Sequence, residues 1–558
     1  MKKTKNVNKN LMLVICINVI IFCFSNFIFD IKYEQVDDFI IYNLYSGLDG
    51  TYNFHGIYVH PLLCIILSTL FKFISTINWH SIFLLSMQFI CFTIIGYNFL
   101  EKHKNAITIL LYTIFASIFY TTLLVLIQYT SVSALLILTS FYMLLHDIEK
   151  NKSKKYKILY VVLYALGIML RMQSILIVIP FIVLYGIYYF IKYKKGNVFI
   201  KLIKIYAILG VITGIIYISN TLIYEFDSVY KEFIEYNKFR STLQDLSYIE
   251  YDENKELFDE IGWTKNDHYL FFTFNTGDEN VYNKESLGKI IDYKIKQNEY
   301  YKLNLDVKQV FLRLINEMTG GYTLSCILYI SIFILSLINN KSNRKINILI
   351  FLITTGIHIL FIILNRSLVR VVIPEYVLGT ILIMDNMKFE YNFKKEIVTT
   401  ISIILISVIS ALSGTFYNLG YKLEDYSNYQ EVINYTNDHK ENVYLYTIPS
   451  LQYRYLAYSV YCMPPKGSFS NLRVMGGWDM YTENYYDFKE RYNLDGTFLD
   501  VLKDNVYVID GDVYWSGKQN KDYIKHIAIS IKEHYNIDVK YEKIKEFDNI
   551  YIYKITKK

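Results

Sequence analysis

The chain has 558 residues, of which 53% are hydrophobic and 19% are charged, and its net charge is +6. Long apolar runs recur as far as residue 416 and then stop, which excludes a soluble globular protein and is typical of a polytopic membrane protein with a polar tail. The positive charge does not indicate a nucleic-acid partner, because the lysines cluster beside the apolar runs, where membrane orientation accounts for them.

The first apolar run, residues 11–29, follows a lysine-rich N-terminal segment. No small-residue cleavage site comes after it, so we interpret it as an uncleaved first span with its N-terminus in the cytoplasm. The next segment, residues 30–60, is polar and rich in carboxylates. We therefore expect it to form a loop on the outer side.

A short apolar run at residues 61–77 decides the rest of the topology. If this run lies in the outer interface without crossing, every lysine-rich connector falls on the cytoplasmic side, as the positive-inside rule requires. The fold class is then a polytopic α-helical membrane protein with about 11 spans plus one interfacial helix. The expected spans are residues 11–29, 79–100, 106–126, 130–145, 158–170, 174–191, 199–220, 322–338, 346–364, 369–384 and 397–416.

Two units follow from this topology. Residues 1–416 form a transmembrane domain with outside loops at 30–78 and 221–321. Residues 417–558 form an extracytoplasmic α/β domain, with strand-like runs at 442–447, 505–510 and 549–555 and a helix-like run at 521–535. The protein is thus expected in the cell membrane as a multi-pass protein with its C-terminal domain outside.

The acid pair Asp37-Asp38 lies shortly after the first span. It is either part of a solvated acidic loop or a catalytic group, with one carboxylate as general base and its neighbour orienting an acceptor or a metal. Two histidines, His55 and His60, close the same segment, but no residue pattern supports them as metal ligands. The chain has no HExxH, CxxC or EF-hand pattern and no P-loop or GxGxxG fingerprint, so neither a metal site nor a nucleotide cofactor is predicted.

Arg171 follows a predicted span, residues 158–170, that is only about 20 Å long against about 30 Å of hydrocarbon. Arg171, with Gln173 beside it, should therefore lie below the outer surface. It either snorkels to lipid headgroups or faces an anion in a polar cavity, and a guanidinium suits a phosphate because it offers a planar, charged fork. A second outward turn carries Gln128, and an ordinary hairpin explains it equally well. A third carries Arg366 and Arg370, which a phosphate, an anionic glycan or lipid headgroups would explain.

The acid pair and the segment His60-Pro61-Leu62-Leu63, which opens the interfacial helix, resemble motifs of the GT-C superfamily of membrane glycosyltransferases. That superfamily includes protein O-mannosyltransferases and the aminoarabinose transferases acting on lipid A. This chain has one proline where the mannosyltransferases have two, and it lacks their Arg-x-x-x-x-Asp signature after the third span. The sugar and the acceptor therefore stay open.

The resemblance implies an inverting enzyme that takes a sugar from a polyprenyl phosphate and passes it to a cell-surface glycan or lipid. It implies an aspartate of the first outside loop as the base, and we hypothesise that Asp37 is this base and that Asp38 supports it. The superfamily contains both metal-dependent and metal-independent members. The candidate substrate-binding residues are the polar side chains expected near the same outer level: His55, His60, Gln128, Arg171, Gln173, Arg366 and Arg370.

Two other classes fit part of the pattern. A flippase or other transporter of lipid-linked glycans would also have many spans, but internal repeats and little soluble mass are usual there. A polysaccharide polymerase or ligase would carry its large outside loop late in the chain, without an acid pair after the first span. In the tail, Gly476-Gly477-Trp478-Asp479 could present an aromatic ring to a sugar or form a structural turn.

Overall fold

The structure is a computed structural model. It describes residues 2–34, 36–103, 105–193, 196–245, 248–297, 306–320, 323–339, 343–387, 427–447, 458–511, 514–515, 518–519, 522–548 and 550–558. The predicted last span, residues 397–416, and the predicted domain boundary after residue 416 lie outside these ranges.

Most of the described chain is a bundle of long apolar helices. The helices of this part are α1 (Lys2–Ile28), α2 (Val36–Ser46), α3 (Pro61–Phe73), α4 (Trp79–Lys102), α5 (Ala106–Val125), α6 (Tyr129–Lys150), α7 (Lys154–Leu170), α8 (Ile175–Tyr193), α9 (Asn197–Phe226), α14 (Val307–Thr319), α15 (Thr323–Asn339), α16 (Arg344–Ile363) and α17 (Val369–Asn386). Between α9 and α14 come four polar helices, α10 (Ser228–Asp245), α11 (Lys255–Glu260), α12 (Lys265–Phe272) and α13 (Lys284–Lys296).

Within the described ranges, seven helices are long and apolar enough to cross a membrane: Lys9–Ile28, Trp79–Lys102, Ala106–Val125, Tyr129–Lys150, Met172–Tyr193, Val198–Phe226 and Arg344–Ile363. Each corresponds to a predicted span, so the expected class of polytopic helical protein is confirmed at this level. The predicted spans 158–170, 322–338 and 369–384 are also helices, α7, α15 and α17, but these are too short or too charged to belong to that set.

The segment predicted as a loop at residues 30–60 is partly helical. Two residues of it, Lys32–Tyr33 (β1), pair in parallel with Leu126–Ile127 (β2), and α2 follows directly. Helix α2 is buried along most of its length, because the residues after the acid pair are almost all large and apolar. Helix α3 is a short apolar helix of 13 residues, in line with the predicted interfacial segment.

Helices α6 and α7 pack closely because Gly167 leaves room between them. A Cβ atom at Gly167 would lie 2.7 Å from Ile137 Cγ1 and 3.0 Å from the Ser133 carbonyl oxygen. The Ser133 hydroxyl donates to the carbonyls of Gly167 (2.7 Å) and Arg171 (3.0 Å), which ties the last turn of α7 to α6. This contact fixes where Arg171 leaves the helix.

The C-terminal part contains helices α18 (Ser427–Asp438), α19 (Glu483–Tyr492) and α20 (Tyr523–Tyr535) and strands β3 (Val443–Tyr446), β4 (Leu472–Val474), β5 (Val506–Gly511), β6 (Tyr514–Trp515), β7 (Lys518–Gln519), β8 (Val539–Phe547) and β9 (Ile550–Lys557). Five strands form a mixed sheet in the order β4-β3-β5-β9-β8, in which β3 is parallel to β4 and β5 and β9 is antiparallel to β5 and β8. The three predicted strands and the predicted helix correspond to β3, β5, β9 and α20.

This sheet lies between two hydrophobic cores. Along β3, Val443 and Leu445 belong to the same hydrophobic core as Trp263 and other residues of the α10–α13 region, while Tyr444 and Tyr446 belong to the core of the helical bundle. The alternation follows from the period of two in a strand, which sends successive side chains to opposite faces. The tail therefore shares its core with the segment after α9 and is bound to the same end of the bundle.

Candidate functional site

The acid pair lies in the first turn of α2. Asp37 and Asp38 are the acidic residues of that turn, where the partial positive charge of a helix N-terminus favours carboxylates. Strand β1 holds the chain just before this turn, and the Glu34 amide donates to the Ile127 carbonyl at 2.9 Å. The pair is therefore anchored on both sides rather than carried on a free loop.

Asp38 is completely buried. Its Oδ1 accepts from the backbone amide of Tyr129 at 3.0 Å and lies 3.1 Å from His80 Nε2, while its Oδ2 has no hydrogen-bond partner among the described residues. Burial raises the pKa of Asp38 above its usual value, and the hydrogen bond from His80 opposes this rise. Asp38 thus joins α2 to the start of α4 and of α6.

His80 continues this network away from the acid pair. Its Nδ1 lies 2.5 Å from the Tyr45 hydroxyl, and the arrangement is satisfied when Nε2 carries the proton donated to Asp38 and Nδ1 accepts from Tyr45. His80 and Tyr45 are both buried. The network fixes the ring of His80 and, through it, the carboxylate of Asp38.

Asp37 differs from its neighbour because it is only half-buried. Its Oδ1 accepts from the indole nitrogen of Trp478 at 3.3 Å, a contact across 441 positions of sequence. The Trp478 ring also meets Tyr58 edge to face, with centroids 5.2 Å apart. Of the two carboxylates, Asp37 is the one that a molecule entering from outside the core could reach.

Close backbone contacts fix the turn before Trp478, and this turn places the indole ring at the acid pair. Gly476 has φ +129°, and a Cβ atom there would lie 2.2 Å from the Phe274 carbonyl oxygen. The Gly477 amide donates to the same carbonyl at 3.2 Å, and Asp479 pairs with Arg473 at 3.0 Å. Only glycine fits this turn, which serves as a structural support for Trp478.

Arg171 shares two aromatic neighbours, Tyr129 and Tyr58, with the groups that bind the acid pair. Its Nη1 donates to the Tyr129 hydroxyl at 3.0 Å, and its guanidinium lies over the Tyr58 ring, 4.7 Å from the centroid. Tyr129 is also the residue whose amide binds Asp38. Among the described residues, no Asp or Glu oxygen lies within ion-pair distance of Arg171. Helix α7 begins at Lys154, so it is about 26 Å long and still shorter than the hydrocarbon layer.

Arg370 approaches the same cluster from α17. Its Nη1 lies 3.4 Å from Glu34 Oε2, and it also interacts electrostatically with Asp37. Glu34 is mostly buried, and burial raises its pKa while Arg370 opposes the rise. Pro374 has no backbone N–H, so the Arg370 carbonyl does not receive the usual helical hydrogen bond from position 374. The Ser131 hydroxyl donates to that carbonyl instead, at 3.1 Å, and so holds α17 against α6.

Four of the predicted site residues therefore converge: Asp37, Asp38, Arg171 and Arg370. Gln128 directly precedes Tyr129, which contacts Asp38 and Arg171. Its Oε1 caps α6 by accepting from the amides of Thr130 and Ser131, while its buried Nε2 has no hydrogen-bond partner among the described residues. Its position fits the structural interpretation of that turn.

The other predicted residues occupy different surroundings within the described chain. Gln173 is exposed in a short 3-10 turn, and Arg366 lies 3.6 Å from Asp245. His60 caps α3 through Nδ1, while its Nε2 lies 3.0 Å from the Ser219 hydroxyl.

His55 is stacked on Tyr230 with centroids 3.9 Å apart, and its Nδ1 lies 3.0 Å from Asn53 Oδ1. Burial lowers the pKa of His55 to about 4. Both histidines thus make structural contacts: His60 caps α3 and contacts α9, and His55 stacks on α10.

Sequence reasoning missed His80, Tyr129, Glu34 and Trp478 as members of this cluster. A weak signal existed for His80, because a histidine stands one residue inside an apolar run that begins at Trp79. Across the described ranges, no group of three or more His, Cys, Asp or Glu side chains is placed to hold a metal ion. No model of a known protein family matches the chain, and no curated protein is significantly similar to it.

Proposed function

We propose that the protein is an inverting membrane glycosyltransferase that transfers a sugar from a polyprenyl phosphate to a glycan or lipid acceptor on the outer face of the membrane. The observation that carries the proposal is the placement of Arg171, a guanidinium without a carboxylate partner among the described residues, in the same cluster as a reachable carboxylate, Asp37. A phosphate ester and a nucleophilic hydroxyl are the two groups that such a pair would accommodate together.

Asp37 is the proposed base. It takes the proton of the acceptor hydroxyl, the acceptor oxygen attacks the anomeric carbon, and the bond from that carbon to the phosphate oxygen breaks. The electron pair leaves with the polyprenyl phosphate. Asp38 is the proposed positioning residue, because it is buried, bound to His80 and Tyr129, and inaccessible to an acceptor. Trp478 orients the Asp37 carboxylate through its indole N–H.

Arg171 is the proposed phosphate ligand. An arginine that merely snorkels would extend toward the headgroups, whereas Arg171 is held on the ring of Tyr58 and the hydroxyl of Tyr129. Charge on the departing phosphate grows in the transition state, so a fixed guanidinium lowers the barrier as well as binding the donor. Arg370 is compensated by Glu34 and is assigned a supporting electrostatic role.

The orientation in the membrane is part of the proposal. The acid pair, Arg171 and the C-terminal sheet lie at one end of the bundle, and a lysine-rich set of residues lies at the other end: Lys102, Lys152, Lys154, Lys157, Lys201 and Lys204. The positive-inside rule then puts the second end in the cytoplasm, with about 11 spans and the tail outside.

Cysteine labelling tests this orientation. A Ser153→Cys/Cys462→Ser variant should stay unlabelled by a membrane-impermeant maleimide in intact cells, while the wild type should be labelled at its exposed native Cys462. Labelling of Ser153→Cys in intact cells, with a cytosolic control protein unlabelled, would refute the orientation.

The activity is tested by release of polyprenyl phosphate. Purified protein is incubated with a panel of polyprenyl-phosphate hexoses, pentoses and aminosugars and with a cell-envelope extract as acceptor. At least one donor should release polyprenyl phosphate, and Asp37→Asn should lower that release about 10²–10⁴-fold, the range of general base catalysis. The matched control is Asp252→Asn, an exposed carboxylate that pairs with Lys265. Absence of release from every donor, or equal rates for Asp37→Asn and wild type, would reject the proposal.

A further inference from the structure

A groove of about 680 Å³ lies between α7 and α9, at the end of the bundle opposite the acid pair. Helix α7 begins at this groove with Lys154 and ends at Leu170, directly before Arg171, so the two sites are a helix length apart. Four lysines line the groove, two from each helix: Lys154, Lys157, Lys201 and Lys204. The rest of its wall is almost entirely isoleucine and valine.

The lysines are only partly neutralised. Lys157 and Lys201 approach the same carboxylate, Asp147, at 3.9 and 3.2 Å, and both lie 3.3 Å from Asn151 Oδ1. Lys154 and Lys204 have no hydrogen-bond or ion-pair partner among the described residues, and both are exposed. Four lysines therefore face one aspartate, which leaves a net charge of +3 at the mouth of the groove.

The apolar wall is also exposed. Ile158 and Ile208 are each 53% exposed, and Val162 is 46% exposed. These residues lie toward the middle of α7 and α9, while the lysines lie near the beginnings of these helices. The groove thus presents cationic groups at the membrane surface and an apolar channel below them, which is the distribution of a phospholipid with an anionic headgroup.

A second groove on the bundle lacks the combination of lysines and an apolar wall. Between α1 and α5, a groove of about 240 Å³ is lined by apolar residues such as Ile20 and Phe24 together with Thr113, Ser117 and Thr121, and no charged side chain lines it. That surface fits any acyl chain. The α7–α9 groove, by contrast, favours a lipid whose headgroup is negatively charged.

We propose that the α7–α9 groove is a binding site for an anionic phospholipid, whose phosphate is held by Lys154 and Lys204 and whose acyl chain lies along Ile158, Val162 and Ile208. The bound lipid links the start of α7 to α9, the helix whose Ser219 contacts His60. The site does not depend on the proposed transferase activity.

Native mass spectrometry of the full-length protein in detergent, with added phosphatidylglycerol or phosphatidylcholine, tests the proposal. Phosphatidylglycerol should be retained in preference to phosphatidylcholine. Each lysine near a membrane surface contributes about 1 kcal/mol of attraction to anionic lipid, so Lys154→Gln/Lys204→Gln should weaken phosphatidylglycerol binding about 30-fold. The matched control is Lys155→Gln/Lys345→Gln, which removes two exposed charges at the same end outside the groove and should bind as wild type does.

Two further measurements separate a lipid from its headgroup alone. Ile208→Trp fills the apolar channel without changing the charge, so it should also weaken phosphatidylglycerol binding. Glycerol phosphate, which has the headgroup chemistry but no acyl chain, should not compete at concentrations that match the lipid. Equal losses in the two double-glutamine variants, equal retention of both lipids, unchanged binding in Ile208→Trp or full competition by glycerol phosphate would each overturn the proposal.

Discussion

Replacing Arg171 by methionine removes the guanidinium but keeps a long apolar stem. Among the described residues this side chain has no carboxylate partner, so removing the guanidinium leaves no buried carboxylate without its counter-charge. The lost contacts are one hydrogen bond to the Tyr129 hydroxyl and two cation–π contacts, with the rings of Tyr58 and Tyr129, each worth about 0.5–2 kcal/mol. The variant should therefore fold, with a modest fall in melting temperature.

The effect on donor binding should be much larger. A hydrogen bond to a charged group contributes about 1.5–3 kcal/mol, and a guanidinium fork can make two of them with one phosphate. Taking the lower value for each bond gives about 3 kcal/mol, or roughly 150-fold in Kd. Arg171→Lys keeps the charge and one bond, so its loss should be about tenfold.

Farnesyl phosphate is a suitable probe because it carries the prenyl phosphate without requiring knowledge of the sugar. Its Kd is measured by thermophoresis for wild type, Arg171→Met and Arg171→Lys, with Arg344→Met as the control. Arg344 is an exposed arginine at the opposite end of the bundle, where it donates to the Leu337 carbonyl. A Kd for Arg171→Met within twofold of wild type, with Arg344→Met unchanged, would refute the assignment of Arg171 to a phosphate.

Three further outcomes are expected. Between pH 6.5 and about 4 the unfolded chain protonates His55 while the folded chain does not. The melting temperature should therefore fall as the pH is lowered through this window, and it should fall less in His55→Phe. Parallel curves of melting temperature against pH for the two proteins would contradict this. Ser131→Ala leaves the carbonyl freed by Pro374 unpaired and should cost about 1–3 kcal/mol of stability, and Ser131→Ala/Pro374→Ala should recover part of it in a denaturation series. Trp478→Phe keeps an aromatic ring but removes the indole N–H that donates to Asp37. Turnover should therefore fall about threefold to tenfold, with farnesyl phosphate binding unchanged. Unchanged turnover would remove Trp478 from the positioning role.

The sequence alone determined the features that depend on neighbouring residues. Apolar runs of the right length predicted the helices of the bundle, and alternating runs predicted β3, β5 and β9, because burial of a helix or strand face imposes a local period. The shortness of the run before Arg171 also predicts that this arginine lies below the outer membrane surface, and this stays a prediction. The helix α2 was missed, because its acidic first turn made a buried helix look like a solvated loop.

The tertiary structure decided which side chains meet. His80 and Trp478 contact the acid pair across 42 and 441 positions, and no local pattern encodes contacts of that separation. Arg366 and Arg370 stand four residues apart in one stretch, yet Arg366 faces Asp245 while Arg370 faces Glu34. Arg366 lies in the turn before α17 and Arg370 in its first turn, so which of them enters the cluster depends on where α17 begins and on its rotation about its axis. That rotation is set by its packing on α6 and by the Ser131 bond to its backbone, and only the folded chain fixes both.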